Sequence, residues 1–180
     1  MRQIRLATPA GIDAVIGIAP AGAERQEAIA EWVHAGQCYV LWQDGMAAGY
    51  AALTRTFFRS PFIEMLVVSP LTRRQGIGRA LVEHCIALVP PDQKLWTSTN
   101  ESNAPMRAML LQLGFVYTGQ FAGLDEGDPE LIYLRWSGLP GWRVLGIEPS
   151  PILGPEGNRE FLIAAEKQTA EKQTAEKYDA

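Results

Sequence analysis

Residues 67–81 read Val67-Val68-Ser69-Pro70-Leu71-Thr72-Arg73-Arg74-Gln75-Gly76-Ile77-Gly78-Arg79-Ala80-Leu81. This stretch takes an apolar strand into a proline, through a basic turn with two glycines, and directly into a helix. The first amides of a helix have no acceptor within it, and glycine lets another molecule approach the backbone closely. The stretch therefore predicts an anion site, and a phosphorylated ligand is its expected occupant.

The spacing of the glycines separates this turn from the common nucleotide-binding loops. A dinucleotide-binding fingerprint requires a third glycine three residues after Gly78, where this chain has Leu81. A nucleoside triphosphate loop requires Gly-Lys followed by Ser or Thr, and the turn contains no lysine. An ordinary strand-turn-helix junction remains as the non-functional alternative.

Two blocks of the sequence resemble one family. The pattern Arg73-x-x-Gly76-x-Gly78, behind a Val-x-x-Pro strand end, resembles the acyl-CoA pyrophosphate loop of the GNAT superfamily of N-acetyltransferases. Asn103, followed by a helix and then by Leu-Gly-Phe at residues 113–115, resembles the Asn-helix-Gly-Phe signature of the same superfamily. The resemblance covers residues 1–136.

The order of the predicted elements agrees with this resemblance. Alternating apolar residues predict strands, and amphipathic spacing ended by glycine or proline predicts helices. The predicted strands cover residues 3–8, 38–43, 48–57, 62–68, 94–99, 115–121 and 131–136. The predicted helices cover residues 10–18, 24–34, 74–88 and 103–113. We expect an α/β GNAT fold, with a mixed, mostly antiparallel central sheet whose fourth and fifth strands splay apart, flanking helices and a C-terminal hairpin.

The resemblance implies acetyl-CoA as co-substrate, bound where the fourth and fifth strands separate. The open strand edge would pair with the pantetheine arm, the amides of the glycine turn would hold the pyrophosphate, and arginines would add charge. The implied cofactor-binding residues are Leu66, Val67, Val68, Arg73, Arg74, Gln75, Gly76, Ile77, Gly78, Arg79 and Asn103. A helix N-cap is the alternative role for Asn103, and both roles could coexist.

Acetyl transfer to a primary amine needs a proton acceptor, because a lysine-like amine has a pKa of about 10.4. Glu64 is the expected base, since it interrupts an apolar strand where the resemblance implies a carboxylate facing the acceptor. A surface carboxylate that only binds substrate charge is the alternative. The oxyanion would be held by a strand amide near Val67 or Val68.

The sequence departs from the family pattern at the general acid. Many members have a tyrosine seven residues after the signature asparagine, and this chain has Leu110 there. The nearest polar alternatives in sequence are Ser98, Thr99 and Tyr117. None of them is assigned the role, so either a different donor acts or the thiolate leaves with proton help from water. His34 and His84 are expected to be structural.

An acidic connecting segment precedes the last strand of the region that resembles the family. Residues 123–130 read Gly-Leu-Asp-Glu-Gly-Asp-Pro-Glu, and the family places this connection near the acceptor. Asp125, Glu126 and Asp128 are therefore the expected substrate-binding residues, and a cationic acceptor such as an aminoglycoside, a polyamine or a basic peptide is favoured. A solvated turn is the alternative reading of the same residues.

The composition limits the classes of partner that the protein is expected to bind. The chain has 180 residues, 47% of them hydrophobic, a net charge of −4 and a pI near 5.2, which argue for a real core and against nucleic-acid binding. Cys38 and Cys85 lie far apart and form no metal or redox spacing, so we expect buried thiols in a reducing cytosol and no metal site. A signal segment and a membrane span are not expected.

The sequence changes character after residue 136. Residues 137–163 predict a hairpin appendage with its strands at residues 141–147 and 157–163. Residues 141–163 resemble the closing segment of haemolysin A-type ribosomal RNA ribose methyltransferases, although the chain is too short for that catalytic domain. Residues 164–180 predict a low-complexity tail containing two copies of Glu-Lys-Gln-Thr-Ala.

The resemblance and the composition together predict a cytoplasmic, acetyl-CoA-dependent N-acetyltransferase that acts by direct transfer on a small-molecule amine. No nucleic-acid or membrane partner is expected, and a homodimer is left open. An acyl-CoA-binding sensor or interaction protein on the same fold is the alternative, motivated by the missing tyrosine. An accessory role in RNA modification is a third class, based on the hairpin alone.

Overall fold

A computed structural model describes residues 1–20, 22–136, 138, 142–153 and 159–167. The described residues divide into two compact units, one of Met1–Val89 with Leu95–Ser98 and one of Pro90–Lys94 with the described residues from Thr99 onward. The strands are β1 Arg2–Leu6, β2 Cys38–Gln43, β3 Met46–Phe57, β4 Ser60–Val68, β5 Leu95–Asn100, β6 Val116–Phe121, β7 Glu130–Arg135, β8 Trp142–Leu153 and β9 Arg159–Lys167. The helices are α1 Ile12–Ile16, α2 Ala23–His34, α3 Ile77–Leu88 and α4 Ala104–Gln112.

A mixed sheet forms the centre of the fold. Its seven strands follow the order β1-β2-β3-β4-β5-β7-β6. β1 to β4 are antiparallel neighbours, β4 and β5 run parallel, and β6 and β7 form an antiparallel pair. The predicted fold class and order of elements are confirmed.

Two sets of apolar contacts hold the helices of the first unit. Val15 of α1 and Trp32 of α2 join one buried cluster with Tyr50 of β3. The helix α3 buries Ile77, Leu81 and Cys85 against the sheet, and each aliphatic side chain of this kind contributes about 1.5 to 3 kcal/mol. Leu88, whose spacing from Leu81 and Cys85 would continue this buried stripe, is 44% exposed because it is the last residue of α3.

Two helices begin later than the sequence predicts. The predicted helix from residue 74 starts as α3 at Ile77, because Arg74 and Gly76 have φ angles of 60° and 78°, in the left-handed region that a right-handed helix excludes. The predicted helix from residue 10 opens with a 3₁₀ turn, Pro9–Gly11, before α1.

Both cysteines are buried thiols, as predicted. Cys38 and Cys85 are free, and each has 0% relative exposure. Burial raises the pKa of each thiol to about 12, so both are neutral near pH 7. Neither is placed to act as a nucleophile.

β8 and β9 form an antiparallel two-stranded sheet where the sequence predicts a hairpin. Both strands are longer than predicted, since β8 continues to Leu153 and β9 to Lys167, so residues 164–167 of the predicted tail are strand. The register is irregular between Pro149 and Leu153, where prolines cannot donate to the ladder. The domain boundary at residue 136 and the methyltransferase resemblance stay predictions, and residues 168–180 of the predicted tail lie outside the described residues. No helix in the described part of the chain is long and apolar enough to cross a membrane.

Candidate functional site

One edge of β4 is open along its second half. Among the described residues, β4 pairs with β5 at Phe62↔Trp96 and Ile63↔Thr97 only, and the Thr97 hydroxyl donates to the carbonyl of Ile63 at 3.0 Å. Further along β4, residues 66–68 pair with β3 on the other side. An unpaired strand edge can bind an extended chain through main-chain hydrogen bonds.

The chain leaves β4 through an anchored turn. The Ser69 amide and the Thr72 hydroxyl donate to the carbonyl of Ala48 at 2.9 and 3.1 Å. Both bonds fix the 3₁₀ turn Pro70–Thr72 to the start of β3. The basic turn that follows therefore begins from a fixed point.

The basic turn ends at an uncapped helix. Arg74 and Gly76 have positive φ angles, and the first helical hydrogen bond runs from the Ala80 amide to the Gly76 carbonyl at 3.0 Å. The amides of Ile77 and Gly78 precede that bond and have no acceptor within the helix. Backbone amides in this arrangement can receive an anion.

The two glycines of the turn serve different purposes. A Cβ on Gly76 would meet nothing within 4 Å, so the requirement for glycine there comes from its φ angle of 78°. A Cβ on Gly78 would lie 3.4 Å from Val68 Cγ2 and 3.8 Å from Leu66 Cδ2. Gly78 thus packs the start of α3 closely against the open part of β4.

The turn is also fixed from β1 and β2, which the sequence did not indicate. Arg2 Nη1 donates to the Gln75 carbonyl at 2.9 Å. Gln43 Nε2 donates to Gln75 Oε1 at 3.2 Å, and Arg2 Nε donates to Gln43 Oε1 at 2.9 Å. Gln75, predicted for its amide, therefore also holds the turn through its carbonyl and side chain.

The three predicted arginines of the turn are all exposed. Arg79 Nε donates to Glu83 Oε1 at 3.0 Å, one helical turn further on. An exposed pair of this kind contributes little to stability, but it holds the Arg79 guanidinium along α3. Arg73 and Arg74 lie before the helix, beside the uncapped amides in sequence.

Glu64 lies at a β-bulge. Ala52 pairs with Met65 and Leu53 with Ile63, so Glu64 is the extra residue of β4. Its carboxylate is exposed, and Oε2 accepts the Thr56 hydroxyl at 3.1 Å. The predicted base therefore lies at a kink in the strand, shortly before the open edge.

In the second unit, Asn103 is the N-cap of α4. Its Oδ1 accepts the Met106 amide at 3.3 Å, and its Nδ2 donates to Thr99 Oγ1 at 3.0 Å. The alternative role from the sequence is thus present. Leu110, in place of the family tyrosine, is fully buried, and the Tyr117 hydroxyl donates to Gln120 Oε1 at 3.2 Å.

The acidic connection is held by hydrogen bonds within the second unit. Asn100 Nδ2 donates to Asp125 Oδ2 at 2.7 Å. Asp128 accepts the Ser102 amide at 2.9 Å and the Ser102 hydroxyl at 2.6 Å. These bonds lower the pKa of Asp128 below its ordinary value. Of the three predicted acidic residues, two hold the loop together, and Glu126 is exposed.

The histidines have local partners. The rings of His84 and Tyr39 meet edge-on, with their centroids 5.1 Å apart, and burial lowers the pKa of His84. His34 Nδ1 donates to the Ala30 carbonyl at 2.7 Å. Within the described residues, no group of three His, Cys, Asp or Glu side chains could hold a metal ion.

Comparison with known proteins assigns a family. The family model of the acetyltransferase (GNAT) family matches residues 12–115. The peptidyl-lysine N-acetyltransferase YjaB of Salmonella typhimurium is 31% identical over 108 residues, which are 59% of this chain and 69% of that protein. A GNAT-family acetyltransferase of Bacillus cereus is 30% identical, with a TM-score of 0.71, covering 77% of this chain and 99% of its own.

A further solved structure shares the fold. Diaminobutyrate acetyltransferase EctA of Paenibacillus lautus, in complex with its substrate and coenzyme A, has 15% identity and a TM-score of 0.57, covering 74% of this chain and 93% of its own. The family model spans more than half of this chain and includes the open edge of β4, the glycine turn and the signature asparagine. The chain therefore belongs to the GNAT family of acetyltransferases, enzymes that take their acetyl group from acetyl-CoA.

Proposed function

We propose that this acetyltransferase moves the acetyl group to a primary amine by direct attack of the amine on the thioester. The observation that carries the proposal is the position of Glu64, an exposed carboxylate on the bulge of β4 just before the open edge. The proposed base and the backbone edge that would bind the thioester arm then lie on the same strand, β4.

The cofactor would occupy the second half of β4 and the turn behind it. The pantetheine arm would pair with Leu66, Val67 and Val68, whose edge has no strand partner among the described residues. The pyrophosphate would receive the uncapped amides at the start of α3, with charge from Arg73 and Arg74. The role of Asn103 beside the pantetheine arm stays a prediction alongside its N-cap bonds.

The chemistry follows from these positions. The amine nitrogen attacks the thioester carbonyl, its proton passes to Glu64 directly or through water, and the carbon–sulfur bond breaks. Consecutive residues of a strand present their amides to opposite sides, so one of Val67 and Val68 points its amide to the open edge and can hold the oxyanion. Because Leu110 is buried and apolar and cannot donate a proton, we propose that water protonates the leaving thiolate.

The proposed acceptor carries positive charge. The net charge of −4 and the acidic connection favour a cationic amine over an anionic one. A polyamine, an aminoglycoside and the lysine side chain of a peptide are all amines of this kind. The name of the Salmonella relative, a peptidyl-lysine N-acetyltransferase, supports the peptide lysine as a candidate. We place the reaction in the cytoplasm, where the two free thiols would stay reduced.

The test is release of coenzyme A thiol from acetyl-CoA with spermidine, an aminoglycoside, a lysine-containing peptide and a neutral sugar as acceptors. We expect thiol release with at least one cationic amine and an equal amount of acetylated product by mass spectrometry. Acetyl-CoA binding by calorimetry without acceptor-dependent release would instead support the sensor alternative.

A further inference from the structure

A chain of hydroxyls connects the interior of β3 to the carboxylate of Glu64. The Thr56 hydroxyl donates to Glu64 Oε2 at 3.1 Å. Thr54 Oγ1 lies 2.9 Å from Thr56 Oγ1, and since the Thr56 proton is directed to Glu64, Thr54 is the donor of that bond. The Thr56 amide in turn approaches Thr54 Oγ1 at 3.5 Å.

The two strands are irregular where this chain crosses between them. Glu64 is the extra residue of β4, and β3 has one extra residue between Thr54 and Phe57. A bulge re-aims the side chains beside it. Here the two irregularities bring Thr56 and Glu64, which occupy no directly opposed pair, within hydrogen-bond distance.

This chain of hydroxyls leads from a buried residue to an exposed one. Thr54 is 1% exposed and β-branched, so its side chain has little rotational freedom. Glu64 is exposed and has three rotatable bonds, and an unrestrained carboxylate there would lose entropy when it meets the amine. Two successive hydroxyl bonds limit that freedom before the substrate arrives.

We infer that Thr56 is a positioning residue for Glu64, holding Oε2 so that Oε1 is the oxygen that takes the proton of the amine. This inference rests on the proposed function of Glu64 as base. Thr54 acts one step further back, by fixing the Thr56 hydroxyl in the donor orientation.

The test compares steady-state rates of Thr56→Val, Thr56→Ser, Thr54→Val and Glu64→Gln, using acetyl-CoA and whichever amine of the panel is acetylated. We expect Thr56→Val to lower kcat about tenfold, as for loss of one hydrogen bond to a charged group, with the KM for the amine and the Kd for acetyl-CoA within about twofold of the parent. Thr56→Ser keeps the hydroxyl and should retain most of the rate. Thr54→Val should cause a smaller loss than Thr56→Val.

The control is Thr118→Val, which removes a strand hydroxyl that donates to the Ile132 carbonyl and should leave kcat unchanged. In the Glu64→Gln background, Thr56→Val should cause no further loss, because the carboxylate it positions is gone. If Glu64→Gln lowers kcat but Thr56→Val does not, the positioning role is overturned and the base remains. If Glu64→Gln turns over like the parent, the proposed base itself is wrong.

Discussion

The carbonyl oxygen of Val67 lies 2.8 Å from the point that a Cβ on Gly49 would occupy. The same Cβ would lie 2.9 Å from Ile77 Cγ2 and 3.2 Å from Leu81 Cδ1. β3, β4 and α3 therefore meet at Gly49 with no room for a methyl group. This contact sets how closely the first turn of α3, with its uncapped amides, lies to β4.

Gly49→Ala should destabilise the protein by about 1 to 3 kcal/mol, because overpacking forces backbone or side chains to shift. Acetyl-CoA binding should weaken as well, since the displaced element is the start of α3. Urea unfolding and calorimetric titration measure the two effects. Gly146→Ala is the matched control, because Gly146 also lies in a strand, β8, and a Cβ there meets nothing within 4 Å. Equal stability of the two variants would contradict the packing described here.

The basic turn before α3 gives a second prediction. Gly78→Asp should weaken acetyl-CoA binding strongly, because it adds volume 3.4 Å from Val68 Cγ2 and negative charge beside the proposed pyrophosphate position. Arg79→Ala should weaken binding by no more than about tenfold, since that guanidinium is already held by Glu83. Calorimetric titration with acetyl-CoA measures both. Unchanged affinity of the Gly78 variant would remove the turn from the cofactor site.

The sequence was most informative where chemistry and backbone geometry coincide. Gly76 and Gly78 follow an apolar strand in a fixed spacing, which identified the turn and the family together. Gly49 was missed, although an isolated glycine within a strand pattern is a known sign of close backbone approach. An isolated glycine does not indicate what packs against it, and the lack of room for a methyl group arises only when the three elements are packed together.

Long-range polar contacts were beyond the sequence for a different reason. Arg2, Gln43 and Gln75 come from three separate parts of the chain, and no spacing relates them. The bulge at Glu64 was also unpredicted, because it depends on the register between two strands rather than on either strand alone. The sequence indicated which residue could act as base, but not what holds it.

The Ser102–Asp128 bond predicts a pH dependence of stability. Hydrogen bonds from Ser102 lower the pKa of the Asp128 carboxyl, so the stabilisation is full above its ordinary value of 3.8 and is lost as the pH falls through the lowered value. Ser102→Ala should therefore melt at a lower temperature than the parent at pH 6. The difference should narrow below about pH 3.8, measured by thermal unfolding. A difference that does not change with pH would assign the loss to packing instead.

The last prediction concerns the acidic connection and the acceptor. If this loop attracts a cationic amine, Asp125→Asn with Glu126→Gln should raise the KM for the amine and leave the Kd for acetyl-CoA unchanged. Asp125→Asn also disturbs the bond that Asp125 accepts from Asn100, so Glu126→Gln alone is the cleaner test of the loop charge.

The rise in KM should shrink between about 0.05 and 0.5 M salt, because exposed charges are screened over a shorter distance as ionic strength increases. Asp92→Asn, an exposed carboxylate outside the loop, is the control for loss of net charge. Glu126→Gln and Asp92→Asn each remove one negative charge. If both raise the KM for the amine equally, the overall charge of the protein, rather than this loop, attracts the amine. A KM unaffected by either substitution, with equal rates on neutral and polycationic amines, would leave no support for a cationic acceptor.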